Sequence, residues 1–358
     1  MFRLLLFFIS TMNMAACQTS TSRESVSSPP MLQPSIVTEK VRYDSDDPAI
    51  WIHPSEPDKS IIFGTDKGGD SGDGALYAFE LDGKILPDQT IKGINRPNNV
   101  DIAHKVKLSG KNQDIAVLTE RYTNQLRIFR LPNMQPVDGG GIPVFNGESE
   151  RAPMGIALYQ NSQDSSLYVF VSRKSGPSES YIWQYALVAD ASGQVLGEHI
   201  RSFGKFEGGK EIESIAVDNK LGYVYYSDEG KGVRKYYAHP DSSNQELALF
   251  AIEGFTEDHE GISIYSTSDT TGYIFVSDQQ ANEFHVFSRE GTASNPHQHP
   301  LLTVLKLSTQ ESDGHEVTNT AFLPDFPHGI LVAMSDDKTF QIYNMQFLLE
   351  QIEQAKTQ

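Results

Sequence analysis

Six times along this chain an apolar residue is followed three positions later by an aromatic one: Leu76 by Phe79, Leu126 by Phe129, Ile182 by Tyr185, Val233 by Tyr236, Phe284 by Phe287 and Phe340 by Tyr343. The aromatics stand 50, 56, 51, 51 and 56 residues apart. Recurrence at such a period means that one supersecondary unit is repeated and that each unit buries its apolar faces only against neighbours. Every copy carries two strand-like runs ahead of the aromatic one. The inner runs centre on Ala49, Val100, Ile156, Ile215, Ile262 and Ala321, the second on Ile62, Ala116, Val169, Tyr225, Phe275 and Val332. A fourth run follows in five copies: ILPDQTI, GIPVF, VLGEHIRSF, LALFAIEGF and LLTVLKL.

The sixth copy lacks that fourth run and ends in FLLEQIEQAK, a stretch of helical character. The spare run SIVTEKVRY, residues 35 to 43, is therefore expected to complete the last unit from the amino end, which closes the ring and removes an exposed sheet edge. The expected fold is all-β, a six-bladed β-propeller formed as one domain by residues 36–358, and a monomer. Two β-sandwiches would explain the strand density but not the sixfold spacing.

Ahead of the repeats, MFRLLLFFISTMNMAAC has one early cation, Arg3, and a short apolar stretch, the pattern of an export signal. Met14-Ala15-Ala16-Cys17 resembles a lipobox, and Cys17, the one cysteine of the chain, is the expected lipidation site. Residues 18–35 read as a Ser/Thr/Pro-rich tether. The expected location is outside a bacterial cytoplasm, lipid-anchored in the envelope or else secreted, with the anchor as the sole membrane contact. The 47 acidic against 29 basic residues leave a formal charge of −18, which argues against a nucleic-acid partner.

In an antiparallel blade the start of the innermost strand and the end of the second lie at the same end. The charges there are sorted. Second-strand ends offer the cations Lys67, Arg121 and Lys174 in the first three copies, then Asp228 with Glu229, Asp278, and Asp336 with Asp337. Innermost-strand starts supply Asp44, Asp46 and Asp47; Asn98, Asn99 and Asp101; Glu211 and Glu213; Asp258 and Glu260; and Asp313 with Glu316. Carboxylates converging on one surface repel one another and call for bound cations. Many oxygen donors favour a hard ion, so several calcium ions are the expected cofactor, and a scattered set of histidines with one cysteine disfavours zinc there. Beside them the three cations suit phosphate oxygens, and the expected substrate is an anion carrying many phosphates.

At DSDDPAIW, residues 44–51, and NNVDI, residues 98–102, the sequence resembles the β-propeller phytases, a calcium-dependent alkaline phytase family. LDGK (81–84), DHEGISIY (258–265) and PDFPHGI (324–330) fit the same pattern in order, and the likeness runs over roughly residues 36 to 345. The resemblance implies hydrolysis of myo-inositol hexakisphosphate, or its calcium salt, by a 3-phytase-like phosphoric monoester hydrolase. It implies calcium ligation by Asp46, Asp47, Asn99, Glu213, Asp228, Glu229, Asp258, Glu260, Asp313 and Glu316, and phosphate binding by Lys67, Arg121 and Lys174. Two positions depart from the family pattern: Met154 stands where a tyrosine is usual, and Ser214 replaces a glycine after Glu213, leaving Glu211 and Glu213 as alternatives at the metal.

The mechanism expected from these residues is in-line attack by a metal-polarised water, with Glu213, Asp258 and Glu260 placing metal or water and no covalent intermediate. No Gly-x-Ser-x-Gly elbow is present. His259, between two acids, reads as a packing or surface residue rather than a general base. Two other functions fit the same fold: a calcium-dependent propeller lactonase or esterase, for which the three cations have no role, and a catalytically idle lipoprotein that binds phosphorylated ligands.

Overall fold

A computed structural model describes residues 31–357; the expected export signal and the expected lipidation site Cys17 lie outside the described residues. Six antiparallel sheets follow one another along the chain. Blade one comprises Ser45–Trp51, Ile61–Asp66, Asp73–Phe79 and Ile91–Asn95. Blade two has Pro97–Leu108, Lys111–Glu120 and Gln125–Leu131, with two short pieces, Gln135–Pro136 and Ile142–Pro143, on its outer edge. Blade three has Pro153–Gln160, Leu167–Arg173, Glu179–Ala189 and Val195–Lys205. Blade four has Ile215–Asp218, Tyr223–Asp228, Gly232–Tyr237 and Ala248–Phe250, and blade five His259–Ser266, Gly272–Asp278, Glu283–Ser288 and Leu301–Lys306.

Blade six is His315–Thr318, Ile330–Ser335 and Thr339–Asn344, and its outer strand comes from the amino end: Ile36 pairs with Ile342 and Val37 with Gln341. Ring closure is as expected, but the regular closing strand is only Ile36–Val37; beyond it the Thr38 and Val41 amides still donate to the Phe340 and Lys338 carbonyls of blade six. The compact unit also starts earlier than residue 36, at Met31, since Leu32 donates its amide to the Lys306 carbonyl and packs against the core between blades five and six. Two strand placements differ from the sequence reading. The inner strand of blade six is His315–Thr318, ahead of Ala321, and the outer strand of blade one begins at Ile91, after most of ILPDQTI.

The core consists of six apolar clusters, one at each seam between blades. Phe129 packs with Ala49, Trp51 and Phe63 of blade one, Tyr236 with Phe170 and Phe203 of blade three, and Phe79 with Phe340 and Ile342 of blade six. The repeated aromatic is thus the side chain that each blade lends to the preceding seam, which is why it recurs with the blade period; fully burying one such ring stabilises by about 1.5–3 kcal/mol. The carboxyl-terminal helix Met345–Lys356 is N-capped by the Asn344 side chain and buries Met345, Leu348 and Ile352 in the seam between blades five and six. No helix among the described residues is long and apolar enough to cross a membrane.

Candidate active site

A dipeptide at the end of five of the six second strands sets the geometry of one face. Thr65-Asp66, Thr119-Glu120, Ser172-Arg173, Ser227-Asp228 and Ser277-Asp278 end their strands in succession. Four of the hydroxyls tie the end of their strand to the next blade: Thr119 donates to the Met154 carbonyl (2.8 Å), Ser172 to Ile212 (2.5 Å), Ser227 to Glu260 (2.7 Å) and Ser277 to Ser312 (3.2 Å). The acids accept amides of the connections: Asp66 from Arg42, Tyr43 and Asp44, Glu120 from Asn95, Asp228 from Glu207 and Asp278 from Thr256. Each buried hydrogen bond of this kind contributes on the order of 1 kcal/mol, and together they fix the loops that carry the site.

The innermost strands of four blades then start with bulges. Register shifts fall between Ser45 and Pro48, Pro97 and Val100, Pro153 and Ile156, and His259 and Ile262. A bulge breaks strict alternation, so successive side chains are re-aimed. Asp46 receives the Asn98 amide (3.0 Å), whereas its neighbour Asp47 receives the Val100 backbone amide (3.1 Å). Two glycines make the close approach possible. A Cβ on Gly155 would run into the Glu213 carbonyl, and one on Gly314 into the Asp47 carboxylate.

At the top of the axis the carboxylate oxygens of Asp46, Glu213 and Asp313 lie within 4.8 Å of one another. Lys67 Nζ is their counter-ion, 3.0 Å from Asp313, 3.1 Å from Asp46 and 3.9 Å from Asp44. Arg121 lies 3.5 Å from Glu213, Lys174 pairs with Glu211, and Lys210 is 2.5 Å from Asp258. Gln279 donates to Asp313 and Gln280 to Asp258 (2.8 Å), while Glu229 accepts the Glu211 amide (3.1 Å). Beside this group opens a pocket of about 770 Å³ lined by Tyr43, Asp44, Arg96, Arg121, Lys174 and Lys338 among others. Below it, a cavity of about 280 Å³ along the axis is lined by Asp47, Asn99, Asp101 and Glu316.

Burial dominates the electrostatics of both tiers. It pushes Glu316 up to about 8, with Asp101 as the next cause, and Asp101 up to about 6. Glu229 rises to about 8 and Asp313 to about 6 despite Lys67. Asp47, Glu213 and Glu260 are raised as well, first by burial and then by neighbouring carboxylates. An acid whose pKa is higher folded than unfolded gives stability that is complete below the unfolded value and lost as pH rises through the folded one. Metal-free protein is therefore expected to lose stability between about pH 4 and pH 8. Thermal unfolding compared between calcium and chelator should show the gain in melting temperature widening from pH 5 to pH 8; a constant gain would contradict this electrostatic picture.

The donor set suits calcium. Every converging ligand is oxygen, and Glu260 Oε2 is buried with no hydrogen-bond partner among the described residues, free to meet a cation. Asp46, Glu213, Asp313, Glu229, Asp258 and Glu260 form the upper tier, and Asp47, Asn99 and Glu316 line the lower one. Of the two alternatives in the fourth blade, Glu213 joins the axial group and Glu211 turns to Lys174. Asp228 does not join them: Arg234 Nε at 2.8 Å and the Glu207 amide hold its buried carboxylate in the strand-end staple. His259 has both ring nitrogens on main-chain carbonyls, of Glu229 and Ala251, and stacks on Phe255. Met154 is fully buried. The sequence reading missed Gln279, Gln280, Lys210, Arg96 and Lys338, although Gln279 and Gln280 follow the Ser-Asp pair at a strand end, where position alone points to the face.

The chain matches the phytase family model over residues 4–355. It is similar to the 3-phytase of Bacillus subtilis (strain 168), with 27% identity over 321 residues that cover 87% of this chain and 80% of the relative. With six blades, an oxygen-rich axial face and a basic pocket beside it, the chain belongs to the phytase family and is a phosphoric monoester hydrolase of the β-propeller type.

Proposed function

We propose that this phytase is calcium-dependent and removes phosphate from myo-inositol hexakisphosphate, or its calcium salt, by direct attack of water. The observation that carries the reading is the sharing of residues between the acidic axis and the basic pocket: Arg121 lines the pocket and stands 3.5 Å from Glu213, and Lys174 lines it and pairs with Glu211. Calcium, when bound by the axial carboxylates, supplies the positive charge that lets a polyphosphate approach a protein of formal charge −18 and polarises phosphate and water oxygens.

The chain's own residues do the rest. Lys67, Arg121 and Lys174 bind the phosphoryl oxygens and orient phosphorus; Arg121 offers a planar pair of donors. Because each of these cations is paired with a face carboxylate, neutralising the carboxylates and binding phosphate favour one another. Glu213, Asp258 and Glu260 hold the attacking water in line. Its oxygen bonds to phosphorus, the phosphorus–oxygen ester bond breaks, and a proton passes to the leaving inositol oxygen, giving inorganic phosphate and an inositol with one phosphate fewer. Arg96 and Lys338, which also line the pocket, suit a neighbouring phosphate of the same substrate.

The same reading makes the protein an exported monomer carried by the amino-terminal signal and anchored through Cys17. The test of activity is phosphate release from inositol hexakisphosphate across a calcium titration. Release is expected to rise with calcium and to stop on chelation; binding without release would select an idle receptor, and turnover of neutral lactones or esters a different hydrolase.

A further inference from the structure

The strand-end staples differ between blades in one respect. In blade four, Asp228 is opposite Gly232, and two residues further along that third strand Arg234 brings its guanidinium to 2.8 Å from the Asp228 carboxylate. In blade two, Glu120 is opposite Gln125, and again two residues on, Arg127 stands 3.8 Å from Glu120. In blade five, Asp278 is opposite Glu283, and the residue two further on is His285. The imidazole is too short to do what Arg234 does: its Nε2 is 3.8 Å from Asp278 Oδ2, beyond hydrogen-bond range, and unlike Arg127, whose Nε bonds Asp138 at 2.8 Å, it has no other hydrogen-bond partner among the described residues.

Blade five thus has an acid where blades two and four have neutral residues, and no guanidinium. Three atoms are left over. Asp278 Oδ1, His285 Nδ1 and His285 Nε2 have no hydrogen-bond partner among the described residues, although Asp278 is 1% and His285 2% exposed. Leaving buried polar atoms unmade costs roughly 1–3 kcal/mol each, so such a group asks for a ligand. One ring nitrogen of His285 and one oxygen each of Asp278 and Glu283 lie within 4.8 Å of one another. Phe255 stacks on the imidazole at 3.9 Å between ring centroids and holds it in place, while Asp278 Oδ2 is fixed by the Thr256 amide at 2.8 Å.

We propose that Asp278, Glu283 and His285 form a binding site for a zinc-class divalent cation, which takes the place of the arginine guanidinium of blade four. Imidazole with two carboxylates selects this class over calcium, which takes oxygen donors. Zinc binds nitrogen and oxygen at about 2.0–2.2 Å, so its ligand atoms stand within about 4 Å of one another. Rotation of Glu283, the half-exposed member, closes the remaining distance and opens the way in from solvent. Burial holds the His285 imidazole below its usual pKa, which keeps a lone pair free. The site is separate from the axial carboxylates but lies on the strand end that continues into Gln279 and Gln280. A cation there would stiffen the support of Asp313 and Asp258.

The test is calorimetric titration of the purified chain with Zn2+ alone, in an excess of calcium that fills the axial face. One equivalent of zinc is expected to bind, with a rise in melting temperature. Glu283→Gln and His285→Gln should each weaken it at least tenfold. Glu283 is at the rim, so its variant keeps the fold if the buried one does not. Co2+ in the unaltered chain should give visible absorption bands and a pulsed-EPR coupling to one imidazole nitrogen that is lost in His285→Gln. No zinc equivalent in the calcium-saturated chain, or unchanged affinity in folded Glu283→Gln, would overturn the proposal.

Discussion

Glu213→Ala is expected to lower phosphate release at a fixed, subsaturating calcium concentration by at least about 100-fold, because it removes one of three converging carboxylates and the partner of Arg121. Calcium addition should recover part of the loss by mass action, so the midpoint of the calcium titration moves upward. The effect on stability runs the other way. In metal-free protein Glu213 is raised by burial and by Asp46, and only Lys67 offsets this before Asp313 and Glu229 add to it. Two carboxylates about 4.8 Å apart repel by roughly 3 kcal/mol at an effective dielectric of ~20 when both are charged. The alanine variant should therefore melt no lower than the parent in chelator at pH 8, and higher if repulsion outweighs lost packing. A variant that keeps parental turnover and calcium response would remove Glu213 from the site.

Lys67→Ala is expected to fail in the opposite pattern. Lys67 Nζ is within 3.1 Å of both Asp46 and Asp313, and its own pKa is raised by those acids against the opposing effect of burial. Removing one member of a buried ion pair leaves charge uncompensated, which costs about 3–5 kcal/mol. The metal-free variant should melt well below the parent at pH 8. Calcium should restore most of that stability but not the turnover, since in the proposed mechanism Lys67 also binds phosphate. A fall of about 100-fold or more in kcat/KM at saturating calcium is the expected reading. Full recovery of kcat/KM by calcium would reduce Lys67 to a counter-ion with no part in substrate binding.

Lys67, and Glu213 as one of the pair with Glu211, were legible in the sequence for a local reason. Lys67 and Glu213 fall at recurrent blade positions, a second-strand end and an innermost-strand start, and antiparallel pairing places both at one end of the molecule. The aromatic period was equally plain, because each ring serves one seam. Asp228 shows where that logic stops. It occupies the same kind of position as its neighbour Glu229, yet Asp228 is tied to Arg234 and the Glu207 amide, whereas Glu229 feels the carboxylates of Glu211 and Asp258. In extended chain, successive side chains point to opposite sides, so one of two adjacent acids turns away from the axis. Composition cannot say which.

The Thr-Asp, Thr-Glu, Ser-Arg and Ser-Asp pairs were a signal in plain sight. They recur at 65–66, 119–120, 172–173, 227–228 and 277–278, and their acids were open to being counted with the face charges. Their role is to accept amides of the connecting loops, a long-range pairing such as Asp66 with Arg42, Tyr43 and Asp44. Those partners come together only when the blade is formed.

The sequence by itself determined the number of blades, the closure from the amino end and the face on which the charges gather, because repeat period and strand order are properties of the chain. Tertiary structure decided which acids meet: bulges at the innermost strands send Asp46 to Glu213 and Asp313 and its neighbour Asp47 to the axial cavity. The physical reason is that a one-residue bulge reverses the direction of every side chain near it, and whether a bulge forms depends on the neighbouring blade pressed against it.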